Sequence, residues 1–200
     1  MKAMEFEEIV ERDSKAHRVC EYKIQAAVLQ AKKLKKSCIF WVYHQEIGIW
    51  LYQAMKDAGL NVLYAPSGKA GEKIILDKSN GDAFVIASIM AYGTGQNLQR
   101  FRSAYFVQTS RSARVMEQAL GRLHRQGYLH DQCVQYTNLT TEFDEMCFAS
   151  TMSDSLYIHQ SLGHQKLVYA DYNPLPAKFS AAVLKERGYI SNIEEWNEIL

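Results

Sequence analysis

Phosphate chemistry is the chemistry best served by one short segment of this chain. It reads Gln118-Ala119-Leu120-Gly121-Arg122-Leu123-His124-Arg125-Gln126-Gly127. On a helix advancing about 100° per residue, Gln118, Arg122 and Arg125 share one stripe, which Arg111 and Arg114 extend backwards. Met116, Ala119, Leu120 and Leu123 fall on the opposite side. Such a helix buries one face and presents guanidinium groups from the other. Like charges at these spacings repel by a few tenths of a kcal/mol per pair. A glycine inside the helix, Gly121, costs about 1 kcal/mol relative to alanine. A bound polyanion offsets both penalties, because arginine forks match phosphate oxygens. The other reading of the stripe alone is a solvated helix face. His124 points away from the stripe and is read as a packing residue.

A second segment, Ala91-Tyr92-Gly93-Thr94-Gly95-Gln96-Asn97-Leu98, follows a strong apolar strand. Glycines on both sides of Thr94 permit positive φ and close backbone approach to a ligand. Backbone N–H groups of such a loop can face phosphate, and a plain tight strand exit would use the same residues.

The elements that must position these segments alternate strand with helix. Helical spacing runs from Glu5 to Lys36, its Lys32-Lys33-Leu34-Lys35-Lys36 end suiting a helix C-terminus. A short apolar, β-rich run predicts a buried strand at Cys38 to Tyr43, and further strands are expected at Asn61 to Tyr64, Ala83 to Ile89, Tyr105 to Gln108 and Gln132 to Asn138. Helices are expected at Ile47 to Ala58, Gly71 to Lys78, the arginine segment, and Glu142 to Ser161. Short connections between them imply a parallel sheet covered on both faces, with ligands bound beyond the carboxyl ends of the strands. After Leu162, Asn173-Pro174-Leu175-Pro176 breaks the pattern, and a helical stretch from Ala177 to Arg187 suggests a docked extension. The expected domains are a helical lead-in over 1–30, the α/β body over 31–162 and a C-terminal extension over 163–200.

Composition narrows the classes. The chain has 200 residues, 48% hydrophobic and 22% charged, with a formal net charge of +1. That suits one substantial core and excludes a histone-like or tail-type binder, so nucleic-acid contact must come from local patches. Cys20, Cys38, Cys133 and Cys147 form no C-x-x-C pair and no ligand-spaced cluster with histidine, which argues against zinc. Isolated cysteines suit a reducing compartment. With no signal-length or membrane-length apolar run, the expectation is a soluble cytoplasmic protein, a phage or virus protein acting in its host cell being one case, with no membrane partner.

Together the segments resemble the C-terminal motor lobe of superfamily-two helicases, most closely the Swi/Snf-type and related phage helicases. Gln118 to Gly127 resembles their sixth motif, Q-x-x-x-R-x-x-R-x-G. Gly93 to Leu98 resembles the fifth, G-x-G-x-N-L, and Cys38 to Glu46 the strand and exit of the fourth. The resemblance covers about Ala31 to Leu139. It implies a RecA-like α/β fold, a parallel sheet flanked by helices on both faces, with a C-terminal helical extension. It implies Arg122 and Arg125 as arginine fingers meeting the γ-phosphate of ATP, with Gln118 orienting groups beside them. It implies nucleotide contact by Gly93, Gly95 and Asn97, and nucleic-acid backbone contact by Tyr43, His44, Gln45 and Thr94. The implied partners are ATP with Mg²⁺, nucleic acid (DNA favoured over RNA), and an N-terminal RecA-like lobe in cis or trans. The chain departs from the pattern at Tyr128, where Gln is frequent, and at Ser110-Arg111-Ser112, where Trp-Asn-Pro is frequent. Chromatin remodelling is not implied.

A complete motor needs a P-loop. Ser67-Gly68-Lys69-Ala70 looks like its tail, but Ala70 replaces the Mg²⁺-binding Ser/Thr and Leu63 stands where the first Gly belongs. Asp144-Glu145 mimics an acidic metal-binding pair, yet lies at the start of a predicted helix. No metal ligand is assigned. The chain is therefore expected to be half of an ATP-dependent helicase or translocase and inactive alone. The alternative is a non-catalytic nucleic-acid-binding module that keeps the helicase-lobe fold.

Overall fold

The computed structural model describes residues 21–34, 38–123 and 134–139, with 141, 144, 147, 150, 151, 154, 155, 157, 158 and 161. The expected extension over 163–200 lies outside the described residues, as do Arg125, His124 and Tyr128. In chain order the elements are α1 (Tyr22–Lys33), β1 (Cys38–Val42), α2 (Gln45–Asp57), β2 (Val62–Ala65), α3 (Lys69–Leu76), β3 (Phe84–Ser88), α4 (Ile89–Tyr92), β4 (Ser103–Phe106), α5 (Ala113–Leu120) and β5 (Gln135–Asn138).

The strands form one sheet in the order β2-β3-β1-β4-β5. Every pairing is parallel, with Phe40 opposite both Ile86 and Tyr105. β1, β3 and β4 are buried along their whole length. That is what a parallel strand covered on two faces requires, and it explains why their sequences are continuous apolar runs.

Alternate residues sort into two cores. Ile39, Trp41, Val85, Ala87, Ala104 and Phe106 pack with Ile75 of α3 and Met116, Ala119 and Leu120 of α5. Cys38, Phe40, Val42, Phe84, Ile86 and Tyr105 pack with Ile24, Ala27 and Ala31 of α1 and Leu51 and Met55 of α2. Helices thus cover both faces, and this is the expected α/β RecA-like layering. Trp41 is fully buried and stacks on Phe106 at 6.4 Å, so its size serves the core.

Connections leave β1 toward β2 and leave β4 toward β5. Neighbouring strands whose connections depart in opposite directions open a crevice at their carboxyl ends, the usual ligand position in such sheets. Here the crevice lies where Tyr43 and Gln108 leave the sheet.

Candidate functional site: the carboxyl edge of the sheet

The glycine loop begins with a feature that periodicity could not reveal, the single helical turn α4 directly after β3. Gly93 closes that turn with φ −64° and donates its N–H to the Ile89 carbonyl at 2.7 Å. A Cβ at position 93 would lie 2.4 Å from that carbonyl oxygen. Gly93 is therefore required by close approach. The positive φ expected of both glycines is found only at Gly95, at +84°. A Cβ there would meet nothing within 4 Å, so the Gly95 backbone stands open to an incoming group.

Thr94, Gly95 and Asn97 are exposed, while Gly93 and Leu98 are buried. Asn97 folds the loop back on itself. Its Oδ1 accepts the Gln99 N–H at 3.2 Å and its Nδ2 donates to Gln99 Oε1 at 3.0 Å. Such Asx-type bonds stabilise tight loops. Gln96 Nε2 donates to Glu72 Oε1 at 2.6 Å and anchors the loop to α3.

The arginine segment departs from a continuous helix. Buried Ala113, Met116, Ala119 and Leu120 give α5 its apolar face, as expected. The helix then ends at Leu120, with Gly121 as its C-cap. Arg122 and Leu123 turn back onto the Ala119 and Leu120 carbonyls at 3.2 and 3.3 Å. Arg122 thus leaves the helical stripe, and Arg111 lies before the Ser112 N-cap, so that single stripe is not formed. Gly121 at the helix end also escapes the interior penalty. The Leu120 carbonyl accepts the Tyr136 hydroxyl at 2.8 Å, so β5 helps close the helix end.

What the break achieves is a clasp. Arg122 Nε donates to the Gly93 carbonyl at 3.2 Å, and Leu98 N–H donates to the Arg122 carbonyl at 3.0 Å. Residue 122 therefore fastens both ends of the glycine loop. Its side chain is held beside the exit of β3 by a backbone carbonyl. Gln118 is half-buried on α5. At its other end α5 lacks a cap from Ser112, and Asp154 supplies one by accepting the Ala113 N–H at 2.7 Å. A carboxylate there also suits the helix dipole.

The neighbouring strand exits are hydrogen-bonded to one another. Gln108 Oε1 accepts both the Tyr43 and His44 N–H groups, each at 3.0 Å. Gln45 Nε2 donates to Ser67 Oγ at 2.8 Å, joining the exits of β1 and β2. The Tyr92 hydroxyl lies on the Pro66 carbonyl and 2.9 Å from the Gly68 carbonyl, joining the exits of β2 and β3. Burial, then the Glu72 charge, raises the Tyr92 phenol above its ordinary pKa, so it stays a donor. Tyr43, His44 and Gln45 are exposed, with the Tyr43 and His44 rings edge to face.

Gln108 and Ser67 were missed as members of this edge. The only signal for Gln108 was a polar residue closing an apolar run. Arg100 lies near the start of β4, away from this edge, with its guanidinium 4.2 Å over the Phe101 ring. Among the described residues no group of three His, Cys, Asp or Glu could hold a metal ion. Asp144 accepts the Thr141 N–H and hydroxyl at 2.7 Å and pairs with Lys23, which is a structural use. No described helix is long and apolar enough to cross a membrane.

A parallel sheet in this order, with the glycine loop and the arginine segment meeting at its carboxyl edge, has the fold of a helicase C-terminal RecA-like lobe. Two solved structures share it. The C-terminal part of the Fun30 ATPase domain matches at TM-score 0.50 and 23% identity, over 84% of this chain and 54% of that one. The DEAD-box protein SrmB of E. coli, bound to the regulator of ribonuclease activity A, matches at TM-score 0.55 and 18% identity, over 66% of this chain and 78% of that one. The chain thus spans about half the length of the Fun30 chain it matches. No family model and no curated protein matches the sequence.

Proposed function

We propose that this chain is the second motor lobe of an ATP-driven helicase or translocase, completing a nucleotide site whose P-loop wall belongs to another lobe. The observation that carries the proposal is the clasp of residue 122 on the Gly93–Leu98 loop. It unites the fifth-motif and sixth-motif segments at the edge where α/β sheets bind ligands. Arg122 and Arg125 serve as the arginine fingers, offsetting charge on the transferring phosphoryl group, and Gln118 orients groups beside them. Gly93, Gly95 and Asn97 approach the nucleotide, for which the open backbone at Gly95 is suited. Tyr43, His44, Gln45 and Thr94 form part of a nucleic-acid track, for which their exposure is suited. Arg122 and the open Gly95 backbone suit the anionic end of ATP, and the P-loop lobe would hold Mg²⁺.

The test is reconstitution. The purified chain alone is expected to show no ATP turnover. Adding a P-loop lobe, fused or in trans, is expected to give turnover stimulated by nucleic acid. Arg125→Ala should abolish it with the thermal melt unchanged, and Arg122→Ala should abolish it in a chain that still folds but melts lower, having lost the bond to Gly93. Turnover by the chain alone that disappears with Arg122→Ala overturns the half-motor reading.

A second reading is a non-catalytic nucleic-acid-binding module. It is favoured by the engagement of Arg122 with Gly93, which gives that arginine a use inside the domain. Salt-dependent binding by the chain alone, with no nucleic-acid-stimulated turnover once a P-loop lobe is added, would select it.

A further inference from the structure

The Gln108 carboxamide has its orientation imposed on it. Two backbone N–H groups, those of Tyr43 and His44, point at one side-chain atom, each at 3.0 Å. Only an acceptor satisfies two donors, so that atom is Oε1 and the Nε2 group must face the other way. Gln108 is half-buried at the carboxyl end of β4, opposite the exit of β1, and both hydrogen bonds lie in the exposed part of the crevice. Among the described residues, Nε2 makes no hydrogen bond. The side chain thus props one strand exit with its oxygen and offers an N–H donor beside exposed Tyr43 and His44.

We propose that Gln108 is an additional contact to the nucleic-acid backbone, its Nε2 donating to a phosphodiester oxygen while Oε1 holds the Tyr43–His44 turn in place. The proposal rests on the nucleic-acid reading above. A neutral donor suits this position. It can bond a phosphate without the long-range attraction of a cation, consistent with a chain whose formal net charge is only +1.

Two substitutions separate the oxygen's task from the nitrogen's. Gln108→Glu keeps an acceptor for both backbone N–H groups and replaces the outward donor with an anion. Gln108→Met removes prop and donor without adding charge. The measurement is anisotropy of fluorescein-labelled single-stranded oligonucleotides, one DNA and one RNA, with the full chain, alongside thermal melts. Both variants are expected to bind about tenfold more weakly or worse, the size of one hydrogen bond to a charged group. The Glu variant should melt like the wild type, and its deficit should persist as salt is raised, unlike simple repulsion. A loss confined to the Met variant reduces Gln108 to a prop and overturns the contact. A loss confined to the Glu variant, or one erased by salt, reduces it to charge repulsion and overturns the contact as well. A wild-type chain that binds neither oligonucleotide sinks the underlying nucleic-acid reading instead, and this proposal with it.

Discussion

Gly71 sits where α3 meets the exit of β2, and the meeting is possible because it has no side chain. A Cβ there would lie 1.8 Å from the Pro66 carbonyl oxygen, 2.3 Å from the Tyr92 hydroxyl and 2.9 Å from the Ala65 carbonyl carbon. Two of these neighbours are backbone and cannot rotate away. Gly71→Ala is therefore expected to destabilise the fold by about 1–3 kcal/mol, the usual range for overpacking. A urea titration followed by circular dichroism measures it, and an unchanged midpoint would mean that Pro66 and Tyr92 are free to move. Nothing in the sequence advertised Gly71, because its constraint comes from the other side of a tertiary contact. Gly95 was legible, since a glycine-flanked loop after a buried strand invites a positive φ. Gly93 was legible as a required glycine but not for its reason.

Helix α5 shows where pattern reading works and where it stops. Its apolar face followed from residue types at helical spacing, and the structure buries Ala113, Met116, Ala119 and Leu120 as expected. Its end did not follow, because Arg122, Leu123 and Arg125 continue a helical rhythm. What ends it is long-range: Leu98 N–H takes the Arg122 carbonyl and Leu123 is drawn into the core. Strands β1, β3 and β4 were legible because they are buried apolar runs, though β4 lies two residues earlier than expected. Ser103 and Ala104 belong to it because Cys38 and Ile39 of β1 pair with them.

The start of α5 is held by Asp154, from a later segment, and not by its own Ser112. Removing that acceptor with Asp154→Ala is expected to cost about 1 kcal/mol, as for loss of an N-cap. Asp154→Asn, which keeps an oxygen acceptor, should recover much of it. Equilibrium denaturation of the two variants checks this. Equal losses would show that the capping bond is not what Asp154 contributes.

At the scale of the whole molecule, complete burial on both faces has a measurable alkaline signature. Burial pushes the Cys38 thiol from its ordinary 9.0 up to about 12, against weaker help from Ser103 and the Tyr105 backbone. The folded state keeps a proton that the unfolded chain releases. The associated stability is fully present below pH 9.0 and is lost as pH climbs toward about 12. The slope approaches 1.4 kcal/mol per pH unit at most, roughly one proton's worth. Tyr64 and Tyr92, both raised first by burial, act in the same direction. Urea midpoints measured at rising alkaline pH should therefore fall for the wild type and fall less steeply for Cys38→Ala. Parallel curves would show that the thiol is not what titrates.

Strand β1 lies at the centre of the sheet, yet both of its neighbours come much later in the chain, at Phe84–Ser88 and Ser103–Phe106. On the ribosome, Cys-Ile-Phe-Trp-Val must wait with both hydrogen-bonding edges vacant until Phe84–Ser88 has been made, and with one still vacant until Ser103–Phe106 follows. Contacts of such wide separation slow folding and prolong exposure of adhesive segments. A nascent chain halted before Ser103 would therefore be prone to aggregation and a natural client for chaperones.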